Sequence, residues 1–312
     1  MNYKESVNLD RIKATELISQ IPGSGAISMD EPMSERTSFK VGGPADIFIR
    51  PAEIGSIAQM LSVCRENSIP VMVMGNGTNL IVRDKGIRGA VIQLTDNVNA
   101  YEVNGEEISA EAGILISRLS RIALEHSLTG LEFAEGIPGT LGGAVVMNAG
   151  AYDGDMSMAV KETEYLSPEL KVRILGNEQH CFGKRSSIIQ SEGGTVLKTV
   201  IRLKKGDKKA IKAKMDDFNA KRREKQPLEL PSAGSIFKRP DGYFAGKLVQ
   251  DCGLRGYRVG GAEVSNLHCG FIVNTANAAA SDVIALIKNI QQQVYDKYGV
   301  MLQTEVKIIG EE

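Results

Sequence analysis

Two glycine-rich segments carry the strongest chemical signal in the chain. They are Gly75-Asn76-Gly77-Thr78-Asn79-Leu80 and Gly136-Ile137-Pro138-Gly139-Thr140-Leu141-Gly142-Gly143. Glycine removes the side chain that keeps a ligand off the backbone, so each segment can present bare N–H groups to an anion. Asn79, Thr140 and Asn148 lie in or near them and can donate to phosphate. Two such segments in one chain suggest a large phosphorylated ligand. The common nucleotide fingerprints do not fit. A dinucleotide fingerprint needs glycine where the first segment has Leu80, and the second segment lacks the Gly-Lys-Ser/Thr ending of a P-loop. The plainer alternative is a pair of tight turns that need positive φ.

Composition narrows the remaining classes. The 312 residues exceed what one hydrophobic core usually organises, which predicts two or three domains of roughly 100 residues each. A net charge of −1 gives no general pull toward nucleic acid or membrane. No apolar run approaches the ~20 residues that span a bilayer, and Met1 to Gln20 interleaves Lys4, Glu5, Asp10, Arg11 and Lys13 among its apolar positions. That segment reads as neither leader nor anchor, so a cytoplasmic protein is expected. Cys64, Cys181, Cys252 and Cys269 lack Cys-x-x-Cys spacing and the three histidines are dispersed, so reduced thiols and no metal site are expected. The basic stretch from Asp207 to Lys225 has no aromatic platform of the kind that nucleic-acid binders use. It reads as a solvated linking helix, with a local role against a substrate diphosphate as the sharper alternative.

The elements that must position these residues alternate. Asp46–Arg50 and Pro70–Met74 read as strands around a helix from Glu53 to Glu66, whose Ile54, Ile57, Ala58 and Leu61 share a face. Gly89–Leu94, Val98–Val103 and Ile108–Glu111 read as strands, followed by a helix from Ile114 to His126 that runs into the second glycine segment. Glu164–Leu166, Val172–Leu175 and Thr195–Leu203 are further strand candidates, and Gly206 marks a change of character. After Pro231 an α+β pattern closes with a helix expected to be capped by Ser281. Val283, Ile284, Ile287, Ile290 and Val294 form its buried face and Gly299 stops it.

Several further stretches join the glycine segments in a recognisable order: Thr37-Ser38-Phe39-Lys40-Val41-Gly42-Gly43-Pro44-Ala45, Met147-Asn148-Ala149-Gly150-Ala151-Tyr152, Pro231-Ser232-Ala233-Gly234-Ser235-Ile236-Phe237-Lys238-Arg239-Pro240 and Thr304-Glu305-Val306-Lys307-Ile308-Ile309-Gly310. The ordered set, spanning nearly the whole chain, resembles the UDP-N-acetylenolpyruvoylglucosamine reductase family. The resemblance implies an α+β fold: a two-part FAD-binding domain of the vanillyl-alcohol oxidase / p-cresol methylhydroxylase type (residues 1–87 and 88–206) and a C-terminal α+β substrate domain (207–312). It also implies noncovalent FAD, NADPH as hydride donor, and UDP-N-acetylglucosamine enolpyruvate as the substrate reduced to UDP-N-acetylmuramate for peptidoglycan. The implied FAD-binding residues are Gly42, Gly43, Gly75, Asn76, Gly77, Thr78, Asn79, Leu80, Gly113, Ile137, Pro138, Gly139, Thr140, Gly142, Gly143, Ala144 and Asn148.

By the same resemblance the catalytic residues are Arg185 in Phe182-Gly183-Lys184-Arg185, Ser235 after Gly234, and Glu305 after Thr304; Lys225 and Arg239 are the candidate substrate contacts. Residue type alone would leave Arg185 a salt-bridged arginine, Ser235 a turn residue and Glu305 a strand-end charge. The chemistry asks for such a set, because hydride addition to an enolpyruvyl methylene builds negative charge next to a carboxylate. That charge needs cationic support and then a proton donor. One position departs from the family pattern: Lys184 stands where a tyrosine is usual. The compact stretch from Gly242 to Asn274 leaves no room for a substrate-covering tyrosine loop and resembles the shorter, second type. Two alternatives stay open at this level: a flavin oxidase of the same fold, or a non-catalytic UDP-sugar-binding flavoprotein.

Overall fold

The computed structural model describes residues 3–312, with side chains described from residue 11 onward. Met1 and Asn2, which begin the segment read as neither leader nor anchor, lie outside the described residues. Each of two compact units is discontinuous in sequence. The first gathers residues 3–29, 47–76 and 89–221, and the second residues 30–46, 77–88 and 222–312. Each has its own apolar core. Ile47, Ile92, Ile108, Leu119, Leu141 and Tyr165 pack in the first, and Phe39, Ile81, Ile236, Val264, Leu286 and Val306 in the second.

The first unit contains a five-stranded antiparallel sheet in the order Val172–Gly176, Val160–Leu166, Thr195–Arg202, Glu107–Glu111, Tyr101–Asn104. Along Thr195–Arg202, Val196, Leu197 and Ile201 are buried while Lys198 and Arg202 are exposed, which largely follows the alternation of a half-buried strand. The sequence assigned a strand to Val98–Val103. It begins only at Tyr101, because Thr95 to Val98 form a turn closed by Val98 N–H donating to the Thr95 carbonyl at 3.1 Å, and the Val98 carbonyl accepts from the Gly113 N–H at 2.9 Å.

A second sheet has the order Ala26–Pro32, Pro44–Arg50, Ile87–Gln93, Val71–Met74. Pro44–Arg50 and Val71–Met74 flank the helix Ile57–Glu66 as the sequence predicts. They are not neighbours, because Ile87–Gln93 inserts between them and pairs parallel with Val71–Met74.

In the second unit, Arg258–Val259, Ala262–Val264 and Ile272–Asn274 form a small antiparallel sheet. Lys307–Ile309 pairs parallel with Leu80–Val82, the strand that leaves the first glycine segment. The helix Ala280–Tyr298 buries Val283, Ile287, Ile290 and Val294 and ends on Gly299 at φ +67°, in the left-handed conformation that glycine adopts without penalty. Its start differs from expectation. Ala279 occupies the cap position, and the free N–H groups of Ala280 and Ser281 donate to the carboxylate of Asp84 at 2.7 and 2.9 Å. Against the raising effect of partial burial, hydrogen bonds from the Ser281 side chain and from the Ser281 and Ala280 N–H groups hold the Asp84 carboxyl below its usual range.

Candidate functional site

In the first unit the second glycine segment is a shaped turn. The helix Leu141–Val146 starts there because the Thr140 side chain accepts from Gly143 N–H at 3.4 Å. The Leu141 and Gly142 N–H groups donate at 2.8 Å to the carbonyls of Ile114 and Ala112, and Ala144 donates to Thr140. The turn is thereby sewn to the segment around Gly113. Glycine is required at Gly113, where a Cβ would stand 2.3 Å from the Thr95 carbonyl oxygen. Ile137 packs against the core and donates its N–H to Ala134, while Pro138 accepts from the Asn76 side chain at 2.9 Å. A Cβ on Gly75 would meet Thr140 Oγ1 at 2.1 Å, so the Gly75 backbone lies directly against the Thr140 side chain.

The helix start is therefore not where the free donors lie. Its first amides are committed to protein carbonyls, whereas the N–H groups of Gly139 and Thr140 have no backbone acceptor among the described residues. The same is true along the first segment for Asn76, Gly77 and Thr78. Within the first unit the Asn76, Gly139 and Thr140 amides suit an anionic group such as a pyrophosphate.

Asn148 and Arg185 are brought together. Arg185 sits in a two-residue turn closed by reciprocal N–H to carbonyl bonds between Gly183 and Ser186 at 3.0 and 3.3 Å. Its φ is +58°, unusual for a side chain of that size. Its guanidinium donates to the carbonyls of Gly150 at 2.9 Å and Asn148 at 3.4 Å. Lys184, the neighbouring turn residue, is exposed. Just before the turn, His180 is fully buried and its ring stacks on Phe182 with centroids 4.6 Å apart. Both groups near its Nδ1 are carbonyls, Gly176 at 2.9 Å and Asn177 at 3.3 Å, so Nδ1 carries the proton. Nε2 is buried without a partner, and burial pushes the imidazole's pKa below its ordinary value.

That burial has a measurable consequence. Below pH ~6.5 the unfolded chain protonates this histidine and the folded chain does not, so stability falls as pH drops, by at most ~1.4 kcal/mol per pH unit. The dependence ends once pH passes below the folded-state value. Denaturant titrations at pH 7.5 and 5.5 should show that His180→Phe, which keeps a ring on Phe182, loses less stability on acidification than the wild type. An equal loss in both proteins would show that His180 does not stay neutral. His268, also pushed down by burial, is present in both and cancels in the comparison.

In the second unit Ser235 and Glu305 lie on adjoining extended segments. Glu305 N–H donates to the Ile236 carbonyl at 2.8 Å, Lys238 N–H to Gln303 at 2.8 Å, and Phe237 bridges Thr304. Ser235 pairs with Phe271 on its other side and follows Gly234 at φ +74°. Its side chain is exposed. Asn79 directs its side-chain amide at the Glu305 carbonyl at 3.2 Å and its own carbonyl accepts from Lys307 N–H at 2.9 Å, so the end of the first glycine segment fixes the extended segment that bears Glu305. Leu80 begins the strand paired with Lys307–Ile309. Gly42 and Gly43 serve close packing in the same unit, since a Cβ would stand 2.7 Å from Val82 Cβ and 2.0 Å from the Asp84 carbonyl oxygen respectively. Lys225 is exposed at the end of the helix Lys208–Lys225, and the Arg239 guanidinium lies 3.9 Å over the Phe244 ring.

Asp84 and the partners of Asn79 were not legible in the sequence, where nothing local links them to residues roughly 200 positions away. Among the described residues no group of His, Cys, Asp and Glu could hold a metal, and no helix is long and apolar enough to cross a membrane.

Comparison with known proteins agrees with this architecture. Residues 45–176 match the FAD binding domain family and residues 226–309 match the C-terminal domain of UDP-N-acetylenolpyruvoylglucosamine reductase. A UDP-N-acetylenolpyruvoylglucosamine reductase of Alkaliphilus oremlandii is 49% identical over 304 residues, 97% of this chain and all of the relative. That of Clostridioides difficile is 49% identical over 286 residues, covering 92% and 94% of the two chains. The crystal structure of the enzyme from Thermus caldophilus superposes with a TM-score of 0.78 at 33% identity, covering 91% of this chain and 98% of that one. The chain belongs to the UDP-N-acetylenolpyruvoylglucosamine reductase family.

Proposed function

We propose that Arg185, Ser235 and Glu305 perform the reduction that gives this family its name. The chain is an FAD-dependent oxidoreductase that uses NADPH to reduce UDP-N-acetylglucosamine enolpyruvate to UDP-N-acetylmuramate, a step toward peptidoglycan. The observation that carries the residue assignment is the pairing that sets Ser235 and Glu305 on neighbouring segments and fixes Glu305 through Asn79. Residues 1–87 and 88–206 serve the flavin and residues 207–312 the substrate, in a protein that works in the cytoplasm. The amides of Asn76, Gly139 and Thr140 are suited to the FAD pyrophosphate, held noncovalently, since neither glycine segment contains a histidine to tether it. Gly113, Gly142, Gly143 and Ala144 shape the backbone beside Gly139 and Thr140, and Gly42, Gly43, Gly77 and Thr78 belong to the same proposed FAD-binding set.

A bound FAD would supply hydride transfer from NADPH to the substrate. Hydride arrival at the enolpyruvyl methylene pushes electron density onto the adjacent carbon and its carboxylate. Arg185 and Glu305 hold that carboxylate in its enolate form. Ser235 then gives its proton to the carbon that bears the ether oxygen, closing the lactyl ether. An unaided serine is a weak acid, so this transfer succeeds only against a centre as basic as the enolate. Lys225 and Arg239 meet the diphosphate or sugar.

The reading is tested by following NADPH oxidation without oxygen. Oxidation that depends on the enolpyruvyl UDP-sugar is expected. Turnover that needed oxygen and ignored the sugar would instead make the protein an oxidase. Lys184 adds a narrower expectation, because a flexible cation there cannot pack as the usual tyrosine does. Lys184→Tyr should change the KM for the UDP-sugar more than it changes reduction of the bound FAD by NADPH. Equal effects on both would place Lys184 away from the substrate.

A further inference from the structure

We propose that Asn148 is a positioning residue for Arg185 and serves the substrate half of the reaction, not the flavin. The inference rests on the assignment of Arg185 to the developing enolate.

Asn148 is 4% exposed and has φ +42°, a left-handed conformation that asparagine tolerates better than most residues. Its side chain has no capacity left for a phosphate. Nδ2 donates to the Gly183 carbonyl at 3.0 Å and to Asp155 Oδ2 at 3.4 Å, and Oδ1 accepts from Ser157 N–H at 3.0 Å. Both amide hydrogens and the acceptor are thus used inside the protein. Gly183 opens the turn that carries Arg185, and the main-chain carbonyl of Asn148 itself accepts from Arg185 Nη1. One residue therefore grips the turn from its side chain and the guanidinium from its backbone.

Such a grip is what the turn requires. Arg185 at φ +58° and Cys181 at φ +47° are both side-chain-bearing residues in a sparsely populated conformation, which persists only where the surroundings over-determine it. Asp155, which bonds Asn148 Nδ2, also accepts from Ser157 N–H at 3.1 Å, so loop 154–157 is fixed by the same centre. Aspartate at 148 would lose both donors, alanine all three bonds, and glycine would satisfy only the backbone. Asparagine alone meets the conformation and the bonding together.

The test uses full-length, FAD-loaded Asn148→Asp, Asn148→Ala, Arg185→Ala and the Asn148→Ala/Arg185→Ala double variant. FAD affinity, reduction by NADPH and reoxidation by the enolpyruvyl UDP-sugar are measured separately. Reoxidation should slow by roughly 10–100-fold in both Asn148 variants, because misplacing an aligned group by about 1 Å costs on that order. FAD affinity and reduction by NADPH should stay close to wild type. The double variant should be no slower than Arg185→Ala, since Asn148 acts through the arginine. If Asn148→Ala does not fold, Asn148→Asp, which keeps the backbone tolerance and the Ser157 bond, carries the same comparison. Weakened FAD binding with normal reoxidation, or losses that multiply in the double variant, would overturn the inference. Normal reoxidation in the Asn148 variants beside a slow Arg185→Ala would overturn it alone. Normal reoxidation in Arg185→Ala would instead remove the assignment of Arg185 on which it rests.

Discussion

Replacing Ser235 with alanine is expected to slow reoxidation of the reduced enzyme by the enolpyruvyl UDP-sugar by roughly 10²–10⁴-fold, the range for losing a positioned general acid. Reduction by NADPH should be nearly unchanged. The structure makes this substitution clean. The Ser235 side chain is exposed and has no hydrogen-bond partner among the described residues, and its backbone is held by the bridge to Phe271 and by the neighbouring Ile236 bonds to Gly270 and Glu305. Alanine removes a proton donor and leaves those bonds in place. Ser235→Cys should retain part of the rate, because a thiol near pKa ~8.5 is a stronger acid than a hydroxyl. Rapid-mixing measurement of the two half-reactions decides the matter. Loss of both together in a folded, flavin-loaded variant would contradict the role.

Gly75→Ala should have the largest effect on the cofactor side. Its Cβ would lie 2.1 Å from Thr140 Oγ1 and 3.2 Å from Thr140 Cβ. Thr140 is 2% exposed and caps the helix Leu141–Val146, so its hydroxyl cannot turn aside without giving up a cap worth ~1 kcal/mol. Overpacking of this kind costs ~1–3 kcal/mol. The two segments would be pushed apart where Asn76 bonds Pro138, and FAD occupancy of the purified protein should fall with stability. Adding Thr140→Ala to Gly75→Ala removes the clashing oxygen, so the double variant should be less destabilised than the sum of the singles. Strictly additive losses in thermal or denaturant unfolding would show that the close approach is not what requires glycine there.

Much of the local structure could be read from residue order, and its failures are instructive. Val283, Ile287, Ile290 and Val294 at helical spacing, with Gly299 behind them, identify the last helix because both signals lie within the helix itself. Its cap was misplaced on Ser281 because the true partner, Asp84, comes from a loop 196 residues earlier. The first glycine segment reads as a single loop, yet Gly75 and Asn76 belong to one compact unit and Gly77 onward to the other. The parallel pairing of Leu80–Val82 with Lys307–Ile309 decides that, and no short window contains both strands. Residue type alone makes Asn79 and Asn148 candidate phosphate donors. Type specifies the hydrogen bonds a side chain can make but not its partners, and here the partners are the segment of Glu305 and the turn of Arg185. Arg185, Ser235 and Glu305 carry no local signature at all, and were reached only through the ordered family pattern.

This chain passes a hydride from NADPH to the enolpyruvyl group of a UDP-sugar. The most direct test is an anaerobic turnover in which the FAD-loaded protein, NADPH and UDP-N-acetylglucosamine enolpyruvate are mixed and the sugar product is identified by mass. One UDP-N-acetylmuramate, heavier than the substrate by one hydride and one proton, should form for each NADPH consumed. NADPH consumption with the enolpyruvyl ether recovered unchanged would contradict the account.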